Sequence, residues 1–476
     1  MSVRSESVVR SPASKSSEDQ EAPNQDNPAA EAAPYPNPVY AWYVVGVLML
    51  AYTISFIDRQ ILNLLVGPIQ RDLGISDTEM SLLAGLAFAL FYTFLGLPIG
   101  RQVDKRSRRS IIAIGIVVWS IFTAACGLAT KFWHLFLARV GVGVGEAALS
   151  PAAYSLVADY FPPNRMGTAM GVYNMGIFVG SGLAYIFGGL VIGMVSGTEH
   201  MILPVVGEVF AWQVVFFVVG LPGILVALLM YTVREPIRRG LKAVRQADGT
   251  MKAKDVPVRE VIAYIKGNAL AVLCHNIGFA LLALVGYGVA TWLPSFFIRV
   301  HGWTPAEIGF SFGVVQLTAG VIGVIGGGWL GDVLKQRGYP DGRIRVGMMA
   351  AFLGVPFAVA MPMVSDGNLA LAISIGSTLF FTMCFGAAPA AIAEIMPNQM
   401  RGQASAVYLF IVNLIGLGLG PTAVALATDF IFGDKAMVGY SLALIGGIAL
   451  PISGLVLWLG CKPYRHSLEK VKAYTA

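Results

Sequence analysis

Apolar stretches recur twelve times along the chain, at about residues 41–67, 78–101, 110–130, 133–160, 165–195, 211–232, 268–299, 304–331, 345–363, 367–396, 401–428 and 437–461. Each accommodates the roughly 20 to 25 helical residues that cross a hydrocarbon layer about 30 Å thick. Lipid offers unpaired backbone groups no partner, and the runs are too long for barrel strands, so the pattern predicts helices. The fold class expected is an all-α membrane protein with twelve transmembrane helices in two six-helix bundles.

Composition agrees, since of 476 residues 56% are hydrophobic and 13% charged, against about a quarter charged in soluble domains. Residues 1–38 are rich in Ser, Glu, Asp, Pro and Ala, lack the apolar core of a signal peptide, and read as a disordered cytoplasmic tail. The remaining divisions are an N-terminal bundle at 39–232, a basic linker at 233–266, a C-terminal bundle at 267–461 and a cytoplasmic tail at 462–476. In the linker, Val258, Val261, Ile262 and Ile265 recur at helical spacing, which predicts either a short interfacial helix or a plain tether.

The net charge of +6 does not mark a nucleic-acid binder, because the basic residues lie scattered between apolar runs. They serve topology instead. Even-numbered connections and the two tails carry 27 Lys and Arg, odd-numbered connections only Arg71, Lys131, Arg299 and Lys435. Both termini are therefore expected in the cytoplasm of a multi-pass protein of a plasma or bacterial inner membrane. Cys126, Cys274, Cys384 and Cys461 are far apart, without metal-ligand spacing, and read as packing residues.

The two halves echo each other. At an offset of 235, Ala158, Asp159, Pro162, Gly167, Ala169, Val172 and Tyr173 reappear as Ala393, Glu394, Pro397, Gly402, Ala404, Val407 and Tyr408. Gly100 and Asp104 after the second span are matched by Gly328 and Asp332 after the eighth. Such halves enclose a central site exposed to one side at a time.

Four charges interrupt the N-terminal half: Asp58 and Arg59 in the first span, Arg139 and Glu146 in the fourth. Charges in hydrocarbon are costly and mark a pathway or a partner. Counting about 1.5 Å per residue puts Asp58 and Arg139 at similar depth, so these two form the expected ion pair, with Glu146 two turns from Arg139 and roughly 10 Å nearer the bilayer middle. Arg59 reaches Glu146 only if helices tilt or move. Glu146, assisted by Asp58, is the candidate for proton coupling, with Arg59 and Arg139 as charge partners and as ligands for an anionic head group. The competing reading is a static buried cluster that holds two helices together.

The opposite wall offers no charge at this depth. Tyr287, Thr291, Phe381, Thr382, Met383 and Phe385 stand there instead, which suits a substrate with an ionic head and an apolar tail. Tyr173 and Asn174, with Tyr408 and Asn413, are further cavity candidates or helix-packing groups. His275 reads as a packing residue, and Gly141, Gly143 and Gly145 as close packing of the fourth span rather than a nucleotide loop. Gly176, Gly180 and Gly182 have antiporter-like spacing, but Ser181 stands where that signature has Pro.

Gly100, Asp104, Lys105, Arg108 and Arg109, with Ser107 where Gly is usual, resemble the loop signature of the major facilitator superfamily. Arg139, Gly143, Gly145, Glu146 and Ala147 resemble its fourth-helix signature. Asp58-Arg59, Gly145-Glu146-Ala147, and the run Trp212 to Gly223 followed by Arg234-Glu235-Pro236 are similar to its Spinster branch. The resemblance implies a cytoplasmic latch built on Gly100, Asp104, Lys105, Arg108, Arg109 and Asp332. It also implies a proton-linked secondary transporter of lysolipid, sphingolipid or another amphipathic anion. A carrier of small organic acids or drugs, and a non-transporting scramblase or sensor, remain as alternatives. No enzyme constellation, metal motif or cofactor is evident; protons, a small amphipathic or anionic substrate and the bilayer are the expected partners of a monomer.

Overall fold

The computed structural model describes residues 34–103, 106–195, 200–203, 207–238, 243–245, 251–253, 257–397 and 400–475. Among the described residues, twelve helices are long and apolar enough to span a membrane. They are α1 (Pro38–Leu64), α2 (Asp77–Gly100), α3 (Arg108–Cys126), α4 (Phe132–Tyr160), α5 (Thr168–Met194) and α6 (Ala211–Met230) in the first half. The second half holds α7 (Ala269–His301), α8 (Pro305–Gln336), α9 (Gly342–Met363), α10 (Gly367–Glu394), α11 (Arg401–Phe432) and α12 (Lys435–Val471). All lie within one compact unit, Tyr35–Pro236 with Val256–Ala476. In the other unit, Ala243–Arg245 pairs antiparallel with Met251–Ala253. The expected disordered tail falls almost wholly outside the described residues.

Helix starts follow local chemistry. Ser76 and Glu79 form a capping box at the start of α2, and Thr304 and Glu307 form one at the start of α8. These two boxes are 228 positions apart, the same offset that relates Gly100 to Gly328, so the internal repeat extends to the caps. The halves pack through small residues, as helices without a hydrophobic drive between them must. A Cβ on Gly145 would lie 2.5 Å from the Trp119 amide nitrogen and 2.8 Å from the Gly115 carbonyl oxygen, which explains the glycine run of α4. On α5, a Cβ on Gly182 would sit 2.9 Å from the Gly313 carbonyl oxygen of α8, so this stretch serves helix packing across the two halves.

Two departures from the sequence expectation are local, and the linker takes the helical one of its two expected forms. The connection from α5 to α6 carries a hairpin, His200–Leu203 paired with Gly207–Phe210. The region expected as a tail beyond residue 461 continues the last helix to Thr475, because Tyr464 donates to the Ala391 carbonyl at 2.9 Å and Ser467 to Asn268 at 2.9 Å. The linker forms a helix at Val258–Gly267, tied to the second half by Tyr264 donating to the Ile395 carbonyl, with Val261 buried and Ile262 exposed.

The named polar contacts that join the halves cluster at the end opposite the basic loops. Arg299 of α7 grips Asp77 of α2 with two bonds of 2.7 and 2.8 Å, and Gln70 bonds to both residues. Thr78 donates its amide and hydroxyl to Asp429 of α11 at 2.7 and 2.6 Å. At the basic end, the ion pairs among the described residues stay within one half.

Candidate functional site

All four intramembrane charges lie inside the first half. Asp58, Arg139 and Glu146 are buried to 1% exposure or less, and Arg59 retains 12% of its side-chain surface. The pairing differs from the depth estimate. Arg59 of α1 bonds Glu146 of α4 at 2.5 Å through Nε and again through Nη2. Arg139 donates to two backbone carbonyls instead, those of Asp58 at 3.2 Å and Leu83 at 3.4 Å.

The correction has a geometric cause. Side chains lean toward the N-terminus of their own helix. On α1 that lean carries the Arg59 head back toward the middle of the span, where Glu146 lies. On the oppositely directed α4 it carries the Arg139 head away from Glu146. Counting Cα depth alone misplaces both guanidinium groups. Leu83, the acceptor for Arg139, belongs to a π-helical turn, Leu82–Leu86, of the kind that recurs at functional sites.

Glu146 accepts a further bond of 2.5 Å from the Ser55 hydroxyl, all on Oε2, which leaves Oε1 buried without a partner. The Asp58 carboxylate accepts from Thr123 at 3.3 Å, and its Oδ1 is likewise without a partner. Two buried carboxylates thus carry unsatisfied oxygens, an arrangement that accommodates a proton on each. Around Arg59 stand three aromatic rings, Phe56, Phe88 and Tyr92, with centroids 4.7, 4.4 and 4.8 Å from its guanidinium carbon.

A cavity opens beside this cluster. Arg59, Gln60, Asn63, Phe88 and Arg139 line it from the first half, and Tyr287, Thr291 and Leu417 from the second. Glu146 is screened from it by Arg59. A second, mainly apolar cavity lies within the second half, lined in part by Leu282, Val289, Phe312, Phe381 and Leu450. Ala290 borders both.

Other sequence candidates fall elsewhere. Thr382 turns its hydroxyl onto its own helix, to the Thr378 and Leu379 carbonyls, and packs against α8 at Gly323, so it is a packing residue. Met383 packs in the apolar core of the second half. Tyr173 is fully buried, stacked on Tyr52 at 4.7 Å, and Asn174 accepts from Tyr154 at 3.0 Å. Tyr408 packs on His275, whose nitrogens meet Asn276 and the Ala388 carbonyl. Asn413 opens a π-helical turn, Asn413–Gly418. Gln60 and Asn63 escaped the sequence reading, although two amides three residues apart just after Asp58-Arg59 are a legible signal.

Of the expected latch, Gly100 ends α2, while Asp104 and Lys105 lie outside the described residues. Arg108 is buried and engaged within its own half, by Asp159, by Ser155 at 2.9 Å and by Glu235 at 2.6 Å. The Arg109 amide donates to Glu235, and its guanidinium to the Val233 carbonyl. Asp332 accepts from Arg343 at 3.0 Å, again within one half. Burial alone would raise the Glu235 carboxyl, but the Arg108 side chain and the Arg109 amide outweigh it and hold its pKa below the usual range. All four cysteines are free and buried. Among the described residues no group of three or more His, Cys, Asp or Glu converges to hold a metal.

Comparison with known proteins follows this geometry. The chain is 26% identical to an MFS-type efflux pump of Mycolicibacterium smegmatis over 90% of this chain and 95% of the relative. It is 24% identical to the hexuronate transporter of Bacillus subtilis, over 86% and 92% of the two. Among solved structures, a bacterial homologue of the human lysosomal transporter Spinster, inward-facing and unoccupied, superposes with a TM-score of 0.72 at 26% identity, covering 92% of this chain and 99% of that one. The profile of the Major Facilitator Superfamily matches residues 48–421, and the chain belongs to that family of membrane transporters.

Proposed function

We propose that this transporter is proton-coupled and moves a lysolipid or similar amphipathic anion by alternating access. The observation that carries the reading is the placement of Arg59, which faces the central cavity while its guanidinium neutralises the buried Glu146 behind it. An anionic head group entering the cavity competes with Glu146 for that cation. A buried carboxylate stripped of its cation is costly and takes up a proton instead, so arrival of the substrate and protonation favour each other. The apolar cavity that shares Ala290 with the central one supports a substrate with a hydrocarbon tail.

With the basic loops assigned to the cytoplasm, the end joined by Arg299 and Asp77 faces outward, in keeping with the likeness to an inward-facing structure. The test is uptake of a labelled lysophospholipid into proteoliposomes under an imposed pH gradient. Saturable uptake that collapses with the gradient, and that becomes insensitive to pH in Glu146→Gln, supports the reading; full pH dependence in that variant removes Glu146 from coupling.

A second reading, transport of a small sugar acid, is favoured by the likeness to a hexuronate transporter and by the polar groups Arg59, Gln60, Asn63 and Thr291 that line the central cavity. Competition by glucuronate, with no competition by lysolipid, selects it.

A further inference from the structure

Pro294 lies inside α7. Having no N–H, it cannot bond the carbonyl four residues earlier, so the Ala290 oxygen loses its intrahelical donor. That oxygen is in a buried segment, Ala290 being 7% exposed, where a carbonyl without a donor is costly. Its partners come from the other half of the molecule. Tyr185 of α5 donates its hydroxyl at 2.8 Å, and Asn63 of α1 adds a longer contact at 3.4 Å. Asn63 also donates to Tyr185 at 3.2 Å and to Gln60 at 2.6 Å. Gln60 follows Arg59 in sequence and lines the central cavity with it.

We infer that the Ala290 carbonyl released by Pro294 is the acceptor of an inter-bundle latch, in which Tyr185 and Asn63 hold the closed end of the central cavity shut. The inference rests on the alternating-access part of the proposed function and adds the element that the cavity itself can release. The latch crosses from α1 and α5 to α7, so α7 cannot move away from them while it holds. Once it breaks, a buried carbonyl and a buried phenol each need another partner, and opening of the cavity to water provides one. The Asn63 amide joins the cavity-lining Gln60 to the latch, so a polar substrate group that draws Gln60 away also removes a partner from Asn63. The Asp77–Arg299 pair lies in the same inter-bundle seam nearer the chain ends of these helices, which makes the Ala290 contact the part of the seam that borders the substrate chamber.

The experiment reads distance, not transport. Lys131 and Lys435, exposed and placed at the closed end in opposite halves, are replaced by cysteine and spin-labelled. The four native cysteines are buried. Label-to-label distances are then measured in nanodiscs by double electron–electron resonance without substrate. Tyr185→Phe removes the donor, and Pro294→Ala returns an N–H to the Ala290 carbonyl within the helix. Each is expected to raise the population of the long-distance form roughly three- to tenfold, the range set by one net hydrogen bond. The double variant is expected to exceed neither single, because both remove one contact.

Unchanged distributions in both singles overturn the latch, as do effects that multiply in the double variant, which would make Pro294 act through helix shape alone. Pro294→Gly, which also restores the N–H, must match Pro294→Ala in direction. Absence of lysolipid uptake by the parent protein with an intact distance response sinks the proposed substrate and leaves the latch standing; lysolipid uptake with no distance response in the variants does the reverse.

Discussion

Arg343 stands 235 positions after Arg108, and each clamps an acid 51 residues further along: Arg108 holds Asp159, and Arg343 holds Glu394 at 3.2 Å. The repeat seen in the sequence thus reproduces a tertiary contact. In both halves the pair ties the start of the third helix of the bundle to the end of the fourth. The first half adds Glu235 on the chain leaving α6, and in the second half Tyr464 of α12 donates to Glu394 at 3.0 Å.

Glu235 gives a prediction about pH. Its folded pKa is depressed, so its contribution to stability is present above the unfolded value of about 4.3 and is lost as pH falls through the folded value. Glu235→Gln is expected to melt roughly 1–2 °C below the parent at pH 7. The gap closes as the pH drops below about 4. Thermal unfolding in detergent at the two pH values checks this; a gap that widens in acid contradicts it.

Removing Arg59 should hurt stability more than removing both members of its pair. Arg59→Ala leaves Glu146 charged or forces its protonation, a loss of roughly 3–5 kcal/mol for a broken buried pair. Adding Glu146→Gln should recover most of that loss without restoring pH-driven uptake. Denaturation midpoints and proteoliposome flux, measured on the same three variants, separate the two effects.

The seam between α2 and α11 is intolerant of bulk. A Cβ on Gly85 would stand 2.7 Å from the Leu417 carbonyl oxygen and 2.9 Å from that of Gly418, both backbone atoms. Gly85→Leu is expected to hold the two helices apart, and transport should fall at least about tenfold because the closed form is lost. Spin-label distances across the seam should lengthen in the same variant.

At the rim of this seam, Asp77 and Arg299 should behave as one unit. Asp77→Asn and Arg299→Gln are each expected to shift the population toward the form open at that end, by roughly tenfold. The double variant should be milder than the product of the singles. Additive shifts would show that the bidentate contact plays no part in closure.

How far these features were legible in the sequence depended on their range. Span number, the internal repeat and the four intramembrane charges follow from patterns along a single chain, and so does the packing role of the α4 glycines. The Arg59–Glu146 pairing did not, because it is set by the direction in which long side chains lean, which cancels for neighbours on one helix but adds between antiparallel ones. Thr382 lies on a helix that borders the apolar cavity, yet its hydroxyl finds acceptors on its own helix and it faces α8. Asn63 and Tyr185 were missed for a different reason: their significance comes from a carbonyl made available by a proline 231 residues after Asn63.

The four intramembrane charges all belong to α1 and α4, whereas the second half faces their cavity with Tyr287, Ala290 and Thr291 of α7 and Leu417 of α11. Changes in the second half can therefore recast which solutes fit without retuning the Arg59–Glu146 contact. Such a division makes chimaeras that exchange only the second six helices the natural route to altered selectivity.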